Sequence, residues 1–184
     1  PFTILGLELV VKTGIEVETS IGKLSLTIGG FIDRLDAVAA NGNANGKNLA
    51  ERIRVIDYKT GRISTTHPRA LDEVFDPSML NKHTDYYLQS MLYSIIVKHN
   101  KDLNPGQEPV SPGLLFIQNA GAEDYDPTLK MGKELISSID VYEEEFMKQL
   151  KVLIANIFDK DQPFRPTDDK HRCEYCPYAA LCKS

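Results

Sequence analysis

The feature that most limits the fold of this chain is a change of hydrophobic period after Gly61. Up to that point apolar and polar residues alternate. In "KLSLTIGGFIDRLDAV" (23–38), Leu24, Leu26 and Ile28 fall on one face, as a long strand requires. Residues 2–12 alternate in the same way, and "ERIRVIDYKTG" (51–61) does so again until Thr60-Gly61 stops it. Between them "NGNANGKN" (41–48) is a solvated turn rich in Asn and Gly. An antiparallel meander is predicted: strand, strand, long strand, loop, strand. Beyond it the period lengthens. "TDYYLQSMLYSIIVKHN" (84–100) sets Leu88, Leu92 and Ile95 at helical spacing, with Thr84 as N-cap. "PGLLFIQNA" (112–120) reads as a buried strand. "DVYEEEFMKQLKVLIANIF" (140–158) is the clearest helix, with Tyr142, Phe146, Leu150, Leu153, Ile154 and Ile157 as its apolar stripe. Glu143 to Glu145 lie near its positive end, and Glu144 precedes Lys148 by four. The expected product is a mixed α/β domain. A central mixed sheet is flanked by helices, and Pro163 and Pro166 lead into a cysteine-bearing tail packed on the helical side. Residues 1–166 would form the core and 167–184 a tail of the same domain.

Composition bounds the function only loosely. With 184 residues, 42% hydrophobic and 26% charged, the chain can bury one sizeable core. A net charge of -5 argues against a strongly basic nucleic-acid sleeve. It does not exclude nucleic acid, because a metal site gathers carboxylates and inverts their local sign. The start, "PFTILGLELVV", has no basic region and carries Glu8 in its apolar run, so it is a poor signal peptide. No stretch approaches a membrane span. The protein is expected to be intracellular and to be a fragment of a longer polypeptide.

The chemistry concentrates in "VIDYKTG". On a strand Asp57 and Lys59 project from one face. Taken alone, Asp-x-Lys is ordinarily a surface ion pair. Val55, Ile56 and Tyr58 make this strand apolar, and a partly buried charge pair needs a partner or a purpose. If the strand pairs with the preceding one, Asp33 of "GGFIDRLD" can lie beside Asp57. Two carboxylates so close repel unless a cation bridges them, and hard oxygen ligands suit Mg²⁺ or Mn²⁺. Asp36, three residues on, points to the opposite face of a regular strand and is expected to pair with Arg34 or Arg52. Gln89 and Tyr93, spaced i, i+4, share a helical face. They are either a polar edge or a hydrogen-bonding pair leaning over the metal site or a phosphate. The tail "CEYCPYAALC" holds the only three cysteines, Cys173, Cys176 and Cys182. A tetrahedral site normally takes four ligands.

"GFID", "IDYKTG" and "QxxxY", in this order, resemble the RecB-type nucleases of the PD-(D/E)xK superfamily, with their restriction-endonuclease-like core. The cysteine tail resembles the iron–sulfur staple of the AddB branch and of related CRISPR-associated nucleases. The resemblance runs from about Glu8 to Cys182. It implies that Asp33, Asp57 and the Tyr58 carbonyl ligate the metal and that Lys59 is the catalytic lysine. It assigns Gln89 and Tyr93 to the family's helix motif and Glu8 to a family glutamate on an early strand. Metal-assisted hydrolysis of DNA phosphodiesters, exonuclease-like, is the implied activity. The implied context is DNA-end processing beside a helicase or helicase-like partner in repair or recombination. Arg62, His67, Arg69 and Lys82 could meet the DNA backbone, or form a solvated loop. The family also has an upstream helix with a further ligand, commonly histidine, and a distant fourth cysteine. None of His67, His83, His99 or His171 matches that histidine. A [4Fe–4S] cluster is therefore expected in the full-length protein and absent or incomplete here.

Two other readings stand beside this one. A nuclease-like module could grip DNA ends without cutting, a reading that retention of Asp33, Asp57 and Lys59 argues against. A small zinc-stabilised interaction domain could use His171 as fourth ligand, but His171-Arg172-Cys173 is an awkwardly short spacing for one tetrahedral ion.

Overall fold

The computed structural model describes residues 2–39, 50–61, 67–122, 125–165, 167, 173–174 and 176–182. Two long strands, β1 (Phe2–Thr19) and β2 (Gly22–Ala39), open the chain, and β3 (Ala50–Lys59) follows. The two strands expected before the loop region's long strand are thus one continuous β1. A two-residue loop joins β1 to β2. Gly22 takes φ 115°, and Thr19 Oγ1 donates to Gly22 O at 2.6 Å, closing the turn.

The sheet order is β1-β2-β3-β4, antiparallel except for the parallel pair of β3 with β4 (Val110–Phe116). A parallel neighbour needs a crossover. That crossover holds α1 (Asp72–Phe75), a 3₁₀ helix (Pro77–Lys82) and α2 (Thr84–His99). Residues 117–119 turn into a further 3₁₀ segment, so the strand expected over 112–120 ends at Phe116. The outer edge of β4 is closed by the following segment. Leu114 N donates to Pro127 O at 2.8 Å and Leu129 N to Pro112 O at 2.9 Å, which leaves that edge no open ladder there. A two-residue hairpin, β5 (Lys130–Met131) with β6 (Glu134–Leu135), precedes α3 (Asp140–Ile157).

The core lies between the sheet and its helices. Val11, Ile32, Leu35, Val55, Met91, Val97 and Phe146 are among its fully covered side chains. α2 touches all four strands, whereas α3 packs on β1 and α1, with Phe146 edge-on to Phe75 at 5.2 Å. On α3 only Phe146, Leu150 and Ile154 are buried, so the stripe is narrower than Tyr142 to Ile157: Leu153 and Ile157 are exposed. Lys148 pairs with Glu145 rather than Glu144, and Glu143 instead holds Lys98 at 2.6 Å and His99 at 2.5 Å. On α2 the buried side is set by Tyr87, Met91 and Ile95, while Leu88 and Leu92 are half-buried. Thr84 does not cap the helix. The 3₁₀ helix runs into α2 through His83 (φ 59°), which occupies the cap position, and Thr84 is the first helical residue.

One irregularity in β2 governs the site. Along Leu24, Leu26, Ile28 and Ile32 the inward residues are even-numbered; from Leu35 and Ala37 they are odd. The phase changes at Asp33-Arg34. In β1 the facing position is Glu8, between the pairs Leu7↔Arg34 and Leu9↔Ile32, and Glu8 has φ 51°. A positive φ at a non-glycine residue is costly and marks a locally distorted ladder.

Candidate active site

β3 carries the site because alternation places Ile53, Val55, Asp57 and Lys59 on the face that α2 covers. The β2–β3 ladder includes Arg34↔Ile56, and one further step in that register sets Asp33 opposite Asp57. There Asp33 Oδ2 accepts a hydrogen bond from Tyr58 N at 2.6 Å. A side chain thus takes the place of a main-chain acceptor where the strands separate.

Asp57 is held from two more sides. Lys59 Nζ lies 2.5 Å from its Oδ2, and Gln89 Nε2 of α2 donates to its Oδ1 at 3.2 Å. Burial raises the Asp57 pKa above its ordinary value, the Lys59 ammonium offsets part of that rise, and Asp33 adds to it. Oδ2 is buried, with the Lys59 ammonium as its partner. Lys59 Nζ also sits over the Tyr86 ring, 4.0 Å from its centre.

The second carboxylate of "DRLD" belongs elsewhere. Asp36 is fully buried on the opposite face, where Arg34 Nε lies 2.9 Å from its Oδ1 and Arg54 Nη2 3.2 Å from its Oδ2. Arg34 is as expected, but the second partner is Arg54, not Arg52. The register pairs Asp36 directly with Arg54. Arg54 continues to Asp126 at 3.4 Å, and Phe2 stacks under both guanidiniums.

The other site residues divide. Gln89 reaches Asp57. Tyr93 lies one turn on and is buried. Its hydroxyl packs against Gly30, where a Cβ would overlap it. Glu8 is exposed, at the distortion facing Asp33. His67 is half-buried, with Nδ1 2.9 Å from Tyr87 Oη; burial, and then the Lys130 charge, lower its pKa. Arg69 and Lys82 are exposed, and Arg62 lies outside the described residues. Cys173 and Cys176 are half-buried and Cys182 is exposed at the end of a short helix, Ala179–Cys182. His171 lies outside the described residues. Sequence reasoning missed Tyr86, although its spacing of three from Gln89 puts both on one helical face.

A family model described as the PD-(D/E)XK nuclease superfamily matches residues 1–183. The chain belongs to this superfamily. Comparison with curated proteins gave no match, and neither did comparison with solved structures. The mixed sheet flanked by helices agrees with the restriction-endonuclease-like fold of PD-(D/E)XK proteins, and membership makes nuclease chemistry, hydrolysis of nucleic acid, the family activity. No helix among the described residues is long and apolar enough to cross a membrane.

PD-(D/E)XK nucleases generally use divalent metals. Among the described residues no three His, Cys, Asp or Glu side chains converge. The donor set nonetheless fits a divalent ion. Asp33 is close enough for its charge to raise the Asp57 pKa, and both side chains are hard oxygen donors, with the Lys59 ammonium on one Asp57 oxygen. A cation there would relieve the repulsion between the two carboxylates.

Proposed function

We propose that this chain hydrolyses DNA phosphodiester bonds with Mg²⁺ or Mn²⁺, in an exonuclease-like manner. The observation that carries this reading is the opposition of Asp33 and Asp57, with Lys59 and Gln89 both on Asp57. Asp33, Asp57 and the Tyr58 carbonyl are the proposed ligands. Bound there, the cation supplies Lewis-acid polarisation and charge neutralisation at the phosphate.

The remaining steps belong to the chain. Lys59, held between Asp57 and the Tyr86 ring, is placed to stabilise charge growing on the phosphate oxygens as water adds to phosphorus and one P–O ester bond breaks. Gln89 fixes the rotamer of Asp57, and the Tyr58 N–H fixes that of Asp33. Tyr93 is a positioning residue for α2 against β2 through Gly30. Glu8 would act through the distorted ladder beside Asp33.

The motifs "GFID", "IDYKTG" and "QxxxY" support a RecB/AddB-type assignment, with DNA-end processing for repair or recombination beside a helicase. Cys173, Cys176 and Cys182 are proposed as three ligands of a [4Fe–4S] cluster. Their C-x2-C-x5-C spacing supports this reading, and main-chain turns join Cys176 N to Cys173 O at 3.4 Å and Ala179 N to Cys176 O at 3.1 Å, although the three thiols do not converge. Incubation with linear DNA and Mg²⁺ or Mn²⁺, with and without chelator, tests the activity. Metal-dependent product that Asp57→Asn abolishes supports it; product insensitive to chelator and to Asp57→Asn refutes it. Iron content and visible absorption of anaerobically prepared protein test the cluster.

A further inference from the structure

Beside the carboxylates lies a cavity of about 310 Å³. Its back wall is β4. Leu114 and Phe116 of that strand are the register partners of Asp57 and Lys59. The backbone of these two lining residues therefore runs one strand spacing, roughly 4.8 Å, from that of Asp57 and Lys59. Tyr86 of α2 joins the two directly, because it lines the cavity and also lies against Lys59 Nζ. The walls are aromatic and apolar, and the Tyr86 ring stacks on His83 at 4.8 Å. Tyr125 is fixed as a wall by donating to Leu114 O at 2.8 Å and accepting from Phe116 N at 2.9 Å. Exposed Lys82 and Lys130 stand at the rim. The carboxylate that also lines it, Asp126, already accepts from Thr128 N and pairs with Arg54.

We propose that this cavity is a subsite for one unstacked nucleobase of the strand being cut, adjacent to the scissile phosphate. The inference rests on the nuclease reading for its register but on the cavity for its chemistry. Its volume is at the lower bound for small-molecule sites, which suits a single base rather than a base pair. Aromatic walls accept the π-face of any base, and rim lysines suit the flanking phosphates. A base pair must open to fill it, so the substrate at the moment of cutting is a single strand or a frayed end.

An abasic walk tests this. A single-stranded oligonucleotide carries one abasic position, moved stepwise past the cleavage point. Loss of one stacked base is expected to lower kcat/KM by roughly 5- to 150-fold at one position and little elsewhere. Leu135 lines the cavity and is 43% exposed, so Leu135→Trp fills the space without opening the core. In this variant the intact strand should slow by the same factor, and the abasic strand should slow no further. Phe116→Ala, which removes a wall, is the second variant and should give the same loss of sensitivity. Equal rates at every abasic position, or undiminished sensitivity in both variants, would overturn the proposal.

Binding is read separately from cleavage, by saturation-transfer NMR with the dinucleotide TpT in chelator. Base signals that vanish in Leu135→Trp support the subsite even if no DNA is cut, in which case the nuclease reading alone fails. No base signal with wild-type protein overturns the subsite whatever the activity.

Discussion

Asp36→Asn should unfold the protein more easily without touching the chemistry, and Asp33→Asn should do the reverse. Asp36 is wholly buried between two guanidiniums, Arg34 and Arg54, whose side chains are 12% and 9% exposed. An Asn there keeps the shape and one acceptor but removes the charge that the two guanidiniums share. Breaking a buried pair from one side costs about 3–5 kcal/mol, against a total stability of about 5–15 kcal/mol for a domain. At this chain length that is a fall in Tm of about 6–20 °C. Asp33→Asn retains an acceptor for Tyr58 N and removes the like charge facing Asp57, so its stability should stay within about 1 kcal/mol of wild type. Urea unfolding followed by far-UV circular dichroism, together with thermal melting, measures both variants. A Tm for Asp36→Asn within about 2 °C of wild type would refute the reasoning from the buried network. Loss of cleavage in Asp36→Asn at unchanged stability would mean that the site carboxylate had been assigned to the wrong residue.

Two further predictions follow from packing and charge. Gly30→Ala places a methyl group against the Tyr93 hydroxyl and should destabilise by about 1–3 kcal/mol; Tyr93→Phe in the same chain should restore part of the loss in a double-mutant cycle. Burial alone would raise the Glu143 pKa, but hydrogen bonds from Lys98 and His99 outweigh it and hold it low, while the Lys98 and Ser138 hydrogen bonds lower Asp140. Folded values below the unfolded ones mean stability present above the ordinary carboxylate range and lost as pH falls through the folded values. Melting between pH 7 and pH 3 should therefore fall less steeply in Glu143→Gln than in wild type; identical slopes would contradict this.

Much of the fold was legible because alternation and helical spacing are local signals. The strand over 23–38, the helices at 84–100 and 140–158 and the opposition of Asp33 to Asp57 all follow from period and register. What escaped was set by tertiary context. The three-residue step from Ile32 to Leu35 marks a phase change that turns Asp33 to the same face as Leu35, while regular alternation from there puts Asp36 on the other face; alternation read along one strand does not locate such a step. Arg54 rather than Arg52 meets Asp36 because the β2–β3 register pairs them. Glu143 serves Lys98 and His99, which lie on another helix, so no i, i+4 rule could find them. The 3₁₀ helix at Pro77–Lys82 consumes the cap position of α2, and Asp76 caps that helix instead through Ser78 N at 2.8 Å. In the site, helical spacing puts Gln89 and Tyr93 on one face; Gln89 donates to Asp57, and the Tyr93 hydroxyl lies against Gly30. That division was not legible, because helical spacing fixes a shared face but not the partner each side chain reaches.

The central claim is that Asp33, Asp57 and Lys59 form a working metal-dependent nuclease centre. The most direct measurement is the rate of linear DNA cleavage by Lys59→Ala and wild type in Mg²⁺ or Mn²⁺, with Tm recorded for both. Wild type should cleave, and loss of one charge-stabilising group should lower the variant's rate by about 10²–10³-fold, with cation binding retained. Cleavage by Lys59→Ala at the wild-type rate would contradict the account.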